Sequence, residues 1–176
     1  MAQPIATLIE KMCDKNESEA YRYADKLAEI GGEEVLDELL VILKGEDLEN
    51  AMLAARALSS MKDNQNALDP LLELIHDKSL RYQNGMFVQA LEGFDLSQKL
   101  VDVFKIYLYG NFKSSLLAKE YLDHVEFDIS PRTIRKMEKH WNHYQHNSPE
   151  DEAFELKKLE VEEMIGEMKA LFDEEE

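Results

Sequence analysis

The sequence predicts an all-α protein, a right-handed superhelical stack of helical hairpins (an α-α solenoid). About four repeats are followed by a divergent C-terminal helix pair. Three observations predict this. Glycine (7) and proline (4) are scarce in 176 residues, which disfavours many short strands joined by tight turns. Apolar residues recur at helical spacing, as in Leu36, Leu39, Leu40 and Leu43. The pattern also repeats along the chain with a period of 32: Val35-Leu36-Asp37-Glu38-Leu39-Leu40 overlays Ala67-Leu68-Asp69-Pro70-Leu71-Leu72.

The period fixes each element in turn. Leu48, Leu80 and Phe112 fall at intervals of 32, and Leu68 steps to Leu100 in the same way. The second half of each unit repeats as well. Ala57-Leu58-Ser59-Ser60-Met61 matches Ala90-Leu91-Glu92-Gly93-Phe94, with Lys26-Leu27-Ala28-Glu29-Ile30 and Tyr121-Leu122-Asp123-His124-Val125 in the same frame. Breaks fall at Gly31-Gly32, Lys44-Gly45, Asp63-Asn64, Asp77-Lys78 and Gly110-Asn111, residue types that end helices in left-handed or turn conformations. Four hairpins are expected over residues 3–30, 33–62, 66–94 and 97–126, each of two helices of about 11–15 residues. No single hairpin buries its apolar face alone, so neighbouring hairpins must stack.

Beyond residue 128 the repeat fades, dividing the chain into 1–128 and 129–176. Ser130-Pro131 suits the N-cap and first turn of a helix whose apolar positions are Ile134, Met137, Trp141 and Tyr144. Arg132, Arg135, Lys136 and Lys139 make this segment basic. Ser148-Pro149-Glu150-Asp151 opens a last helix, with Asp151 at a capping-box position and a stripe of Val161, Met164, Ile165, Met168, Leu171 and Phe172. Residues 149–176 carry a net charge of −9 out of −17 for the chain. The pair is expected to cap the stack, with Asp173 to Glu176 as a disordered tail.

Asp69-Pro70-Leu71-Leu72-Glu73-Leu74-Ile75-His76-Asp77 resembles the first-helix signature of HEAT-like repeats, of the short type also found in phycobilisome lyase subunits. Ala54-Ala55-Arg56-Ala57-Leu58 resembles the second-helix signature, and Leu27-Ala28-Glu29-Ile30-Gly31 the end of a unit. The early Arg of many such second helices is absent at Ala51 and Asn84, and Gly85 interrupts the third unit's second helix. The resemblance implies a concave wall of second helices that binds another protein. It also implies an alternative, a subunit of a cofactor-attaching lyase.

The charge balance narrows the partners. A net −17 disfavours nucleic acid, whose affinity comes from Lys and Arg on phosphates, and disfavours an anionic membrane surface. It favours a protein partner, including one with a basic surface. No apolar run approaches a membrane span, and the N-terminal residues lack a signal-like pattern, so a cytoplasmic protein is expected. Cys13, the single cysteine, is expected as a buried structural thiol. His140, His143 and His146 are spaced by three. His140 and His146 would point about 120° apart on a straight helix, so no metal site is expected there. The chain has no Gly-rich phosphate loop, no nucleophile elbow and no His-Glu dipeptide. No cofactor and no catalysis are expected.

The function expected is a non-catalytic protein-binding adaptor. Its binding positions are those between the buried stripes of the second helices: Arg22, Asp25, Asn50, Leu53, Arg56, Tyr82, Gln83, Met86, Gln89, Ser114, Leu117 and Glu120. Leu53, Met86 and Leu117 share a register and are expected to form an exposed apolar strip. The alternative is an acidic, immunity-like inhibitor that meets a basic partner through its carboxylates.

Overall fold

The computed structural model describes residues 3–148 and 152–173, the side chain of Glu152 excepted. The fold is all-α, with helical hairpins arranged as in a solenoid and no strand among the described residues. No helix there is long and apolar enough to cross a membrane. Contacts cluster into two compact units, one ending at Asp95 and the other beginning at Leu96.

The first unit holds six helices: α1 Ile5–Met12, α2 Ala20–Ile30, α3 Gly32–Leu43, α4 Leu48–Ser60, α5 Leu68–His76 and α6 Gly85–Ala90. Successive pairs form the hairpins. Second helices lie side by side, α2 on α4 and α4 on α6, while α3 lies beside α5. The stripes read from the sequence supply the core between these layers. Leu27, Leu39, Leu43, Leu58, Leu68, Leu71, Phe87 and Leu91 are essentially inaccessible. Each contributes about 1.5–3 kcal/mol relative to exposure. Ala51, Ala54, Ala55 and Ala57 let neighbours approach α4 closely, since all four are buried without a bulky side chain.

Turns follow the residues that permit them. Gly31 (φ 61°), between α2 and α3, and Gly32 (φ 86°), the first residue of α3, both take positive φ. Asp63 (φ 54°) does the same after α4. Asp47 caps α4 by accepting from the Asn50 N–H.

Several helices are shorter than the period suggests. α1 has 8 residues, α5 has 9 and α6 only 6. The third unit's second helix begins at Gly85. Buried Asn84 donates from Nδ2 to the Ile75 carbonyl (3.0 Å), and residues 78–83 form a 3-10 turn and further turn instead of helix. Glycine's entropic cost and this local bond outweigh extension of the helix toward residue 80.

The second unit holds α7 Leu100–Tyr109, α8 Phe112–His124, α9 Pro131–Asn147 and α10 Glu152–Asp173. α7 is apolar nearly all round, with Leu100, Val103, Phe104, Ile106, Tyr107 and Leu108 buried, and packs on both α8 and α9. α9 opens with a reciprocal capping box between Ser130 and Thr133 and Pro131 in its first turn. Ile134, Met137 and Trp141 are buried as expected, and α9 packs on α10. α10 is also tied to α7, because the Tyr107 hydroxyl donates to Glu160 (2.9 Å) and Lys157 donates to the Leu108 carbonyl (3.0 Å). Trp141, Tyr144 and Phe154 stack at 5.8–6.2 Å between ring centroids. Leu171, expected in the buried stripe, is 58% exposed, since it lies about 120° around the helix from buried Ile165 and about 80° from buried Val161. Residues 149–151 and 174–176, where a capping box and a tail are expected, lie outside the described residues.

Candidate protein-binding face of the first unit

The second helices α2, α4 and α6 carry most of the expected binding residues. Asp25 on α2 and Arg56 on α4 meet each other. The guanidinium donates twice, from Nε at 2.8 Å to Oδ1 and from Nη2 at 3.0 Å to Oδ2. The same guanidinium lies 5.3 Å from the Tyr21 ring centroid. These two residues therefore join neighbouring second helices and are engaged within the unit. Arg22 is exposed and pairs with Glu19 (3.0 Å).

Asn50 is half-buried and accepts from Lys15 at 3.3 Å; Lys15 also reaches Asp47 (2.8 Å) and Glu49 (3.1 Å). The Lys15 hydrogen bond, followed by the Asn50 N–H, draws the Asp47 carboxyl below its ordinary range. Leu53 is half-buried and Met86 on α6 is 45% exposed. Gln89 on α6 is also exposed. Tyr82 (82% exposed) and Gln83 were expected on a second helix. They lie instead in the turn before α6, for the reason given by Gly85 and Asn84.

The remaining three positions belong to the second unit. Glu120 is exposed and Leu117 half-buried on α8. Ser114 must be corrected: it is wholly buried, its N–H capped by the Asn111 side chain (2.9 Å), so it lines no surface. Cys13 is half-buried rather than buried. Burial, then Asp47, raises its thiol pKa, and Lys15 opposes them, so the thiolate is disfavoured. His143 and His146 are exposed and His140 half-buried. Among the described residues no three His, Cys, Asp or Glu side chains are grouped as metal ligands.

The period did not point to a cleft of about 960 Å³ where α2 ends, α3 begins and α4 ends. Asp25, Glu29, Glu33, Asp37 and Asp63 line it, against Arg56 and Lys62. Its apolar lining is Ala28, Leu36 and Ile30, the last 47% exposed. With Asp25 held by Arg56, the other four carboxylates have no ion-pair partner among the described residues. The Gly31-Gly32 turn brings Glu29 and Glu33 to one rim, and acids flanking that turn are the sequence signal that could have marked the cleft.

A search of curated proteins finds no match. The family model for HEAT repeats matches residues 5–92, half the chain, which includes all six helices of the first unit nearly to its end. With its paired helices stacked first on first and second on second, this chain belongs to the HEAT-repeat family.

Proposed function

We propose that this chain is a non-catalytic adaptor that binds another protein on the second-helix face of its first unit. The observation that carries the reading is the cleft at the ends of α2 and α4. It joins an exposed Ile30 to four carboxylates without an ion-pair partner among the described residues, in a space of about 960 Å³. An aliphatic side chain of the partner fits its apolar lining, and Lys or Arg beside it meets the rim. Exposed Tyr82 and Met86 add residue types enriched at interfaces.

The test is affinity capture from extract of the native cell at low and high salt, followed by mass spectrometry and titration of the captured protein. Ile30→Asp and Met86→Asp should each weaken it at least tenfold, or ~1.4 kcal/mol, with thermal stability retained. Arg56→Glu is a poor probe, because it would set a second carboxylate against Asp25. If only Glu162→Lys with Glu163→Lys, both exposed on α10, weakens binding, the acidic-inhibitor reading replaces this one.

A further inference from the structure

Helix α9 of this acidic chain carries a concentrated basic surface, which the adaptor reading does not use. Arg132, Arg135, Lys136, Lys139, His143 and His146 are all exposed. At about 100° per residue they share an arc of about 100°, opposite buried Ile134, Met137 and Trp141. No exposed position of α9 is acidic. Its one carboxylate, Glu138, is turned to α10 and paired with Lys169 at 3.2 Å. None of the four Arg and Lys side chains has an ion-pair partner among the described residues.

Two further features set the stripe apart from an ordinary solvated face. The first turn of α9 holds no acidic residue and begins with Pro131 and Arg132. Positive charge near a helix N-terminus opposes the dipole, so local stability does not account for this placement. The field is also felt by a neighbour. Burial first, then Lys105, Lys139 and His143, lower the pKa of His140, with Asp102 opposing.

We propose that the exposed face of α9 is a docking surface for an acidic segment of a partner protein. The stripe runs from residue 132 to 146, about 21 Å at 1.5 Å per residue, and is one helix wide. A duplex or a membrane plane is wider than one helix face and would also meet α10, which exposes Glu155, Glu162, Glu163 and Glu167 beside it. A nucleic-acid single strand is narrow enough, but it gains affinity by stacking bases on exposed aromatic rings. α9 exposes no Phe, Tyr or Trp ring for this: Trp141 is buried and Tyr144 half-buried. An acidic peptide, extended or helical, needs only the row of cations that is there. The chain's other charges are largely screened beyond about 8 Å at physiological ionic strength.

The experiment is fluorescence anisotropy of a labelled Glu-rich peptide of about 15 residues, matched to the stripe length, titrated with the full chain. Binding should fall at least tenfold between ~50 and ~300 mM salt. Arg135→Glu with Lys139→Glu should weaken it at least tenfold at low salt, while Lys44→Glu, at an exposed position of the first unit outside the cleft, should leave it unchanged. An unchanged melting curve confirms that the double variant folds. Equal loss in the Lys44→Glu control, or no loss in the double variant, overturns the assignment to α9. Tighter binding of oligothymidylate, duplex DNA or phosphatidylserine vesicles overturns the choice of an acidic peptide. Concentration-dependent association of the chain that the double variant abolishes would place a second copy there and overturn a separate partner.

Discussion

Asn64 is the residue whose loss tests the packing of the second-helix layer most directly. It is 8% exposed, and its side-chain amide donates to the Leu58 carbonyl at 2.8 Å and to the Gly93 carbonyl at 3.1 Å. Those carbonyls end α4 and the 3-10 turn after α6, so one amide joins two neighbouring hairpins. Asn64→Ala removes both bonds. Each is worth about 0.5–1.5 kcal/mol net, with a further penalty where a buried carbonyl is left unpaired. The Leu58 carbonyl keeps the Met61 N–H at 3.4 Å, which limits the penalty there. The expected loss is about 2 kcal/mol, or about 4–8 °C in Tm for a chain of this size. Asn64→Asp should cost more, because a carboxylate cannot donate and would face two carbonyl oxygens. Thermal melting followed by far-UV circular dichroism gives the ranking. A shift under about 1 °C for Asn64→Ala, or an Asp variant no worse than Ala, would refute the claim that this amide holds the hairpins together.

Gly93→Ala should destabilise the first unit by about 2–3 kcal/mol, the upper range for overpacking. A Cβ there would stand 1.9 Å from the Ser59 carbonyl oxygen, on backbone that cannot swing aside. Urea denaturation monitors it, and wild-type stability would mean the close approach is wrong. In the second unit, burial and then the bond to Glu160 push the Tyr107 phenol well above its ordinary pKa. The folded state therefore holds that proton more tightly than the unfolded state. Its contribution is complete below the unfolded pKa of about 10 and is lost progressively as pH rises above it. Wild type should lose stability above about pH 10, and Tyr107→Phe should lose less over the same interval in alkaline melts. Equal losses would refute the burial of this hydroxyl beside a carboxylate.

The period-32 pattern, the turn residues and the apolar stripes were enough to read the all-α hairpin stack and the helix pair α9–α10. Burial on one face of a helix is a local demand, met by residues three and four apart. Leu58 and Leu91 show this, both inaccessible at the repeated position. The capping box at Ser130 and the positive-φ Gly31-Gly32 turn are local in the same sense.

What escaped the sequence depends on contacts one repeat apart. Lys15 meets Asp47 across 32 residues, Arg56 meets Asp25 across 31, and Asn64 meets Gly93 across 29. In a stack, positions one period apart become neighbours, so complementary polar pairs at that spacing were the available signal. Read singly, Asp25 and Arg56 were expected to face a partner; packing α2 against α4 turned them toward each other. The short α6 and the position of Tyr82 and Gln83 follow from Gly85 together with the bond from Asn84 to the Ile75 carbonyl. The cleft exists only because the ends of α2 and α4 and the start of α3 converge. The sequence by itself determined which residues are apolar at helical period, and hence the hairpins. The tertiary structure alone decided which surface residues are used up by the neighbouring repeat, because that depends on side chains whose proximity arises only when the hairpins stack.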